Sequence, residues 1–400
     1  MRLLVLKSND FPVAGHMRLV EMYVAHLNRA RVEPVLVHVN AEGKQPTLLE
    51  TSDRTQDMEH HVIEWRGIRN WRSAAARLRE IVRETGADLV TSNDMRSDFV
   101  CRMAGARKGL GVPWTSFVHG WTGLRHIFHG KTLRLDQTRY YLYECIDRWC
   151  VRGADEVWVG SKACGDNVRK SLPRRVPIKV LMNAAEPYYM QSKPGRAAEI
   201  RASLGLPEGT LLVGTLGRMA MAKGHALLAR AVVESGRDNL VAVLLGFGEE
   251  EENLKRLAAE PKYRGRVILP GEHASLNEVP DWLEALDIFC FPSLQESLPV
   301  ALLEAMLKDN AIAASNTGDI ADVLEHGECG LLFEPGDVAG MAAQLRVLAD
   351  DDERRIRLRD RAKQRALSYF TAPRYAKDVE DASVALVGER SADVSRRSRA

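Results

Sequence analysis

Residues 291–308 read FPSLQESLPVALLEAMLK, and two carboxylates in that stretch are out of keeping with their neighbours. From Val300 to Leu307 every residue except Glu304 is Val, Ala, Leu or Met. A helix that is apolar on all sides is a buried helix. A carboxylate inside one is costly unless hydrogen bonds are supplied. Pro299 marks the helix start with Ser297 as its N-cap, so Glu304, seven residues on, lies two turns in. The vicinal hydroxyls of a ribose would satisfy both carboxylate oxygens. A neighbouring arginine, or water at the helix edge, would serve as well. Glu296 stands at the mouth of the same helix.

The run IFCFPS (288–293) before this helix reads as a strand, and the same strand-then-helix alternation extends over the chain. Further strands are expected at 3–6, 33–39, 61–65, 88–92, 114–119, 156–161 and 178–183, then at 211–217, 240–246, 266–271, 311–315 and 330–334. Helices fall near 17–29, 71–85, 96–108, 133–151 and 162–171, and near 337–349, 352–369 and 373–385. This is an α/β chain with mostly parallel sheets, whose ligands bind outside the carboxyl ends of strands.

Four hundred residues exceed one ordinary core and call for two domains. The Pro- and Gly-bearing stretch EPYYMQSKPGRAAEIRASLGLPEGT (186–210) holds the boundary, giving a first domain over 1–187 and a second over 188–370. A helix over 371–386 and a disordered Arg/Ser-rich tail over 387–400 complete the expectation. Six scattered cysteines without a Cys-x-x-Cys pair read as reduced thiols, and no apolar run is long enough for a signal peptide or a membrane span. A cytoplasmic protein is expected. Residues 1–200 carry 31 Lys and Arg against 22 Asp and Glu, while residues 201–400 carry 25 against 32. A basic half fits an anionic partner, and equally two ordinary solvated surfaces.

One further loop bears chemistry. In GTLGRMAMAKGH (214–225) a strand runs into Gly217 and Arg218, and Lys223-Gly224 then open a helix. A glycine turn lets backbone approach a ligand, a helix N-terminus favours phosphate, and Arg and Lys add a fork and a point charge. Many strand–loop–helix junctions carry exposed basic residues without binding anything, so this element alone decides little.

Glu296-x7-Glu304 within PSLQESLPVALLEAM resembles the Glu-x7-Glu motif of glycosyltransferase family 4, retaining nucleotide-sugar-dependent enzymes of the GT-B fold. GRMAMAKG resembles the Arg and Lys element of that family. LGFGEEEENLKRL, VILPGE, GDIADVLEHGECGLLFEPGD and, in the first half, ADEVWVGSKA and IKVLMNAAEP follow in the family's order. The resemblance covers nearly the whole chain, closely over 211–337 and loosely before 110. It implies two Rossmann-like domains facing across a cleft, the first for the acceptor and the second for the donor, with the C-terminal helix returning to the first.

The resemblance also implies roles. Arg218 and Lys223 bind the donor diphosphate, Glu304 holds the ribose hydroxyls, and Glu296 contacts the transferred sugar. The backbone of Ser297, Leu298, Pro299 and Val300 faces sugar and phosphate. Gly217 lies beside the phosphates, and the loops bearing Gly246 and Gly271 hold the base. His119, in FVHGWTG (117–123), matches the family histidine that reaches the donor sugar, although a core histidine would fit the same position. Two departures stand out: Ser297 replaces the family's usual Gly, and only VAGH (13–16), with Gly15, represents the first-domain glycine loop.

The expected reaction is transfer of a sugar from a UDP-, GDP- or ADP-sugar to a sugar or lipid-linked acceptor hydroxyl, in cell-surface glycan, lipopolysaccharide or glycolipid synthesis. It needs no metal and no further cofactor, retains the anomeric configuration and involves no nucleic acid. Front-face attack is favoured, with the leaving phosphate taking the acceptor's proton and Glu296 positioning the sugar. The alternatives are a nucleotide-sugar epimerase of related fold and a non-catalytic two-lobed sugar-binding protein. A dinucleotide oxidoreductase fits less well, because no Gly-x-Gly-x-x-Gly follows the first strand. Residues 123–144 interleave Arg125, Lys131, Arg134 and Arg139 with Leu, Ile, Phe and Tyr. That mixture suits the face of an anionic membrane, and equally an amphipathic helix packed on the first domain.

Overall fold

The β-branched and leucine-rich runs form strands that pair in parallel throughout, in a computed structural model that describes residues 1–9, 15–41, 48–105, 109–119, 142, 145–172, 176–271 and 278–397. The chain divides into two units, Met1–Asn183 with Ala372–Ala400, and Ala184–Thr371. The division thus falls a few residues before the expected 187–188.

In the first unit the strands are β1 (Arg2–Ser8), β2 (Glu33–Ala41), β3 (Glu59–Trp65), β4 (Leu89–Ser92), β5 (Trp114–Val118), β6 (Glu156–Val159) and β7 (Ile178–Val180), in the order β3-β2-β1-β4-β5-β6-β7. Central strands of a parallel sheet are covered on both faces and read as unbroken apolar runs. Accordingly Leu3 to Leu6 are fully buried, and Leu4 lies opposite both Val35 and Val90. The helices that matter here are α1 (Gly15–His26), α2 (Trp71–Thr85), α3 (Met95–Gly105) and α4 (Lys162–Ser171). In α2 the residues Ala74, Ala75, Leu78, Ile81, Val82 and Thr85 form one buried stripe, and Gly86 ends the helix in the left-handed conformation. Ser161 caps α4 by accepting from the Cys164 amide.

The second unit has β8 (Leu211–Leu216), β9 (Leu240–Leu245), β10 (Val267–Ile268), β11 (Ile288–Phe291), β12 (Ala311–Ser315) and β13 (Leu331–Phe333), in the order β10-β9-β8-β11-β12-β13. Its helices include α5 (His225–Glu234), α6 (Val300–Leu307), α7 (Val338–Asp350) and α8 (Asp352–Tyr369). One core cluster joins alternate residues of β9 and β11, among them Leu240, Ala242, Leu244, Ile288 and Cys290, to Leu228, Val232, Met341 and Leu345 of the helices. Asp337 and Asp351 cap α7 and α8 by accepting from the amides of Gly340 and Arg354.

The last helix, α9 (Ala372–Arg397), belongs to the first unit and packs on α1. Tyr375 meets the ring edge of Tyr23, Glu380 accepts from the Asn28 amide, and Arg31 pairs with Asp381 at 2.6 Å. The expected disordered tail is corrected here: the helix runs through Arg397. Alanines and long charged side chains over 382–397 are helix formers that a composition-based reading of the Arg/Ser run undervalues.

Candidate functional site

In the second sheet the chain moves from β8 outward to β9 and β10, then returns to the other side of β8 as β11. The strand order therefore reverses between β8 and β11, and the crevice outside the carboxyl ends of such a pair is where open α/β sheets bind ligands. The two loops that flank it are 217–224 and 292–299. They are tied by a backbone bond from Leu294 N to Ala222 O at 2.8 Å. Lys223 Nζ, from the first loop, donates to Glu296 Oε1, from the second. Ser293 Oγ donates to the same carboxylate oxygen at 3.1 Å.

The 292–299 loop is held from its other side as well. Ser315 Oγ lies 3.0 Å from the Phe291 carbonyl and 2.6 Å from that of Ser293, and Asp319 N donates to Ser297 O at 2.8 Å. Gly318, at φ +60°, lies so close that a Cβ there would come within 2.4 Å of Ser297 O. The departure from the family's Gly at 297 has an explanation in this geometry. Ser297 is outside the left-handed region, so its side chain meets no backbone strain, and the tight approach falls on Gly318 instead.

The helix start differs from expectation. Pro299, extended at φ −76° and ψ 128°, occupies the N-cap position, and no side chain caps α6. Ser297 is not the cap, and Glu304 lies only four residues, about one turn, inside the helix that begins at Val300. Glu304 is buried, as are Leu302, Leu303, Ala305 and Met306 around it, while Leu298 is buried beneath the loop.

Across the crevice the loop after β8 is bound to the loop after β9. Met219 N donates to Phe247 O at 2.8 Å, and Glu250 N donates to Met219 O at 2.8 Å. Gly246 has φ +132°, and a Cβ on it would sit 1.8 Å from Gly217 O. The backbone of these loops is thus built on that glycine. Around Gly217 itself a Cβ would meet nothing. Arg218 points outward, 70% exposed, with Glu249 at 3.9 Å. The structure therefore joins Lys223 to Glu296 and places Arg218 on the open rim. Gly271 (φ +62°) ends the described segment after β10, and residues 272–277 lie outside the described residues.

The first sheet reverses its order between β1 and β4, and a second polar cluster lies there that the sequence reading missed. Lys7 is fully buried at the end of β1 and pairs with Asp94 at 3.2 Å. Burial would raise the Asp94 carboxyl, but Lys7 and the amides of Ser97 and Ser8 outweigh it and hold the group at about 2. Asn93 accepts at Oδ1 from His119 Nε2 at 3.3 Å. His119 lies just past β5, its ring stacked on Phe117 at 4.5 Å. The sequence did carry a signal for this cluster: Ser8 and Ser92, the last residues of β1 and β4, are each followed by Asn-Asp in the sequence. Gly15 opens α1, and residues 10–14 before it lie outside the described residues, as do 120–141, 143 and 144, which contain most of the basic and apolar run.

Comparison with known proteins bears on the family and the fold. Residues 14–184 match the model of the glycosyl transferase 4-like domain, and residues 197–365 match that of the glycosyl transferases group 1. The chain belongs to the family 4 glycosyltransferases of GT-B fold. A 2-deoxystreptamine glucosyltransferase of Streptomyces kanamyceticus is 29% identical over 252 residues, 62% of this chain and 64% of that protein. A D-inositol 3-phosphate glycosyltransferase of Corynebacterium kroppenstedtii is 28% identical over 58% of this chain and 54% of its own length. The chain thus spans roughly half to two thirds of these relatives. HepE of Anabaena, solved in complex with UDP-glucose, superposes with a TM-score of 0.76 at 19% identity, over 96% of this chain and all of that one. Sucrose-phosphate synthase of Thermosynechococcus elongatus gives 0.78 at 16% identity, over 97% of this chain and all of that one. At such identities the likeness bears on the fold. Among the described residues no helix is long and apolar enough to cross a membrane.

Proposed function

We propose that this glycosyltransferase moves a sugar from a nucleoside-diphosphate sugar to an acceptor hydroxyl, with retention of configuration and without a metal. The observation that carries the reading is the contact of Lys223 with Glu296 at the strand-order reversal of the second sheet, in the loop that leads into the helix bearing the buried Glu304. A cation at that point suits a diphosphate, and the neighbouring carboxylate suits sugar hydroxyls. Both stand beside the open N-terminus of α6, which favours negative charge.

In the proposed reaction Lys223 and the more exposed Arg218 stabilise the charge growing on the leaving diphosphate, with the backbone from Ser297 to Val300 assisting. Glu304 holds the ribose, Glu296 positions the transferred sugar, and His119 acts on that sugar. Gly246 and Gly271 shape the loops assigned to the base, Gly217 that beside the phosphates, and Gly15 the end of α1. Attack comes from the same face, with the leaving phosphate oxygen accepting the acceptor's proton. HepE, solved with UDP-glucose, supports a uridine nucleotide as the first donor to try. The relatives named above are transferases, which favours transfer over epimerisation or passive sugar binding.

The test is incubation with UDP-, GDP- and ADP-sugars and simple acceptors, with and without EDTA, followed by NMR of the product's anomeric centre. Retention and an unchanged rate in EDTA are expected. An inverted anomer would overturn the mechanism. The anionic-membrane contact expected of residues 123–144 rests on sequence alone. Co-sedimentation with anionic liposomes at low and high salt tests it, and no binding at low salt would remove it.

A further inference from the structure

We infer that Asn93 positions His119 by fixing which imidazole nitrogen carries the proton, an inference that rests on His119 acting in the transfer proposed above. The Asn93 side chain is buried, and its orientation is set by Nδ2, which donates to the Leu6 carbonyl at 3.2 Å. Flipped, the amide would set oxygen against carbonyl oxygen. Oδ1 therefore faces His119 Nε2 at 3.3 Å. An amide oxygen only accepts, so Nε2 bears the hydrogen, and in the neutral ring Nδ1 is the acceptor nitrogen.

The main chain of Asn93 is fixed as firmly as its side chain. Its amide donates to Leu6 O at 3.1 Å, and its carbonyl accepts from the buried Lys7 ammonium at 3.1 Å. Lys7 is paired with Asp94, which Ser8 N and Ser97 N hold at 2.7 and 3.0 Å. Phe117 supports the imidazole face, the two rings being 20° from parallel. The buried Lys7 of this ion pair thus holds the asparagine that orients the histidine. The Tyr23 hydroxyl approaches the same Oδ1 at 3.5 Å, a weaker second donor to it. With Nε2 protonated, Nδ1 can only accept a hydrogen bond, whereas in the opposite tautomer it could only donate one.

The experiment is NMR of the full chain with 15N-labelled histidine, above the pH at which the imidazole is charged, with His119→Gln identifying the signal. The wild type should show the Nε2–H form. Asn93→Ala should shift the ring toward a mixture and lower kcat at least ~10-fold while leaving the donor KM nearly unchanged, as expected of a wrong tautomer. Asn93→Asp keeps an acceptor oxygen and should keep the Nε2–H form, which serves where the alanine variant fails to fold. Tyr23→Phe should leave the tautomer as it is. An Nδ1–H ring in the wild type, or an unaltered tautomer in Asn93→Ala, would overturn the inference. Undiminished turnover in His119→Ala would instead remove His119 from the reaction, a failure of the underlying reading that the spectra alone would not show.

Discussion

Lys223 and Glu296, 73 residues apart in sequence, meet as a half-buried ion pair across the reversal point of the second sheet. A diphosphate that takes Lys223 must draw it from Glu296, and a sugar that engages Glu296 must do the reverse. Donor binding therefore exchanges one internal pair for two contacts. Glu296→Ala should lower turnover while UDP binds at least as tightly as before, because Lys223 is released to the phosphate. Lys223→Ala should weaken UDP. Calorimetry on both variants decides, and a large loss of UDP affinity in Glu296→Ala would refute the division of roles.

Glu304 is buried on α6 within about one turn of the loop that bears Glu296, and its proposed ligand is a ribose. Glu304→Gln keeps the shape and removes the charge. Hydrogen bonds to a charged group contribute about 1.5–3 kcal/mol, so nucleotide affinity should fall on the order of 10- to 100-fold. Unchanged affinity in a folded variant would end the ribose assignment.

Arg218 and Lys223 are proposed to neutralise the same diphosphate from different depths, Arg218 exposed and Lys223 half-buried. Each alanine variant should reduce kcat/KM, and the double variant should lose less than the two single losses combined, since both act on one leaving group. Strictly additive and mild effects would mark them as ordinary surface charges.

Much of the fold was legible because central parallel strands are continuous apolar runs: LVAVLL over 240–245 is buried at every position. The motif positions were legible from resemblance, but their contacts were not. Nothing in the local spacing joins Lys223 to Glu296, because the sheet order brings those loops together. The start of α6 was misread because Pro299 takes the extended cap position, moving Glu304 a turn closer to the mouth. The Lys7, Asn93 and Asp94 cluster was not singled out in the sequence. Its meaning comes from β1 and β4 being neighbours, a long-range pairing.

Gly246 makes a prediction about the framework. A side chain there must move the Gly217 carbonyl, which belongs to the loop leading to Lys223. Gly246→Ala also imposes a residue with Cβ at φ +132°, a strain on the order of 1–3 kcal/mol. Urea melts should show destabilisation of at least that order, accompanied by weaker UDP binding. Gly217→Ala, with open space around it, should change stability far less. Equal effects from the two would contradict the packing described.

Acid should weaken the fold in a defined window through two buried histidines. Burial pushes His38 and His225 down to about 4; the carboxylate of Glu50 partly opposes this at His38, and the Leu245 carbonyl does so at His225. His60 beside the first and Lys223 beside the second push further down. The His225 ring donates from Nε2 to Leu245 O at 3.4 Å, and its buried Nδ1 meets no hydrogen-bond acceptor among the described residues, so a second proton there would be stranded. Both rings are thus neutral in the folded chain but titrate near the ordinary value of about 6.5 when unfolded. Between about pH 6.5 and 4 the unfolded chain binds protons that the folded chain refuses. The histidines' contribution should be flat above that window, fall as pH drops through it by up to about 1.4 kcal/mol per pH unit for each ring, and level off below it. Asp94, held at about 2, acts separately: its stabilisation is present above the ordinary carboxylate range and is lost only as pH falls toward 2. Burial holds the Asp98 carboxyl well above the usual carboxylate range, so its stabilisation is lost as pH rises and opposes the histidines. The urea midpoint of His225→Asn should therefore fall less than that of the wild type between about pH 6.5 and 4. A slope in folded His225→Asn equal to that of the wild type would show that this ring is charged in the fold over the window.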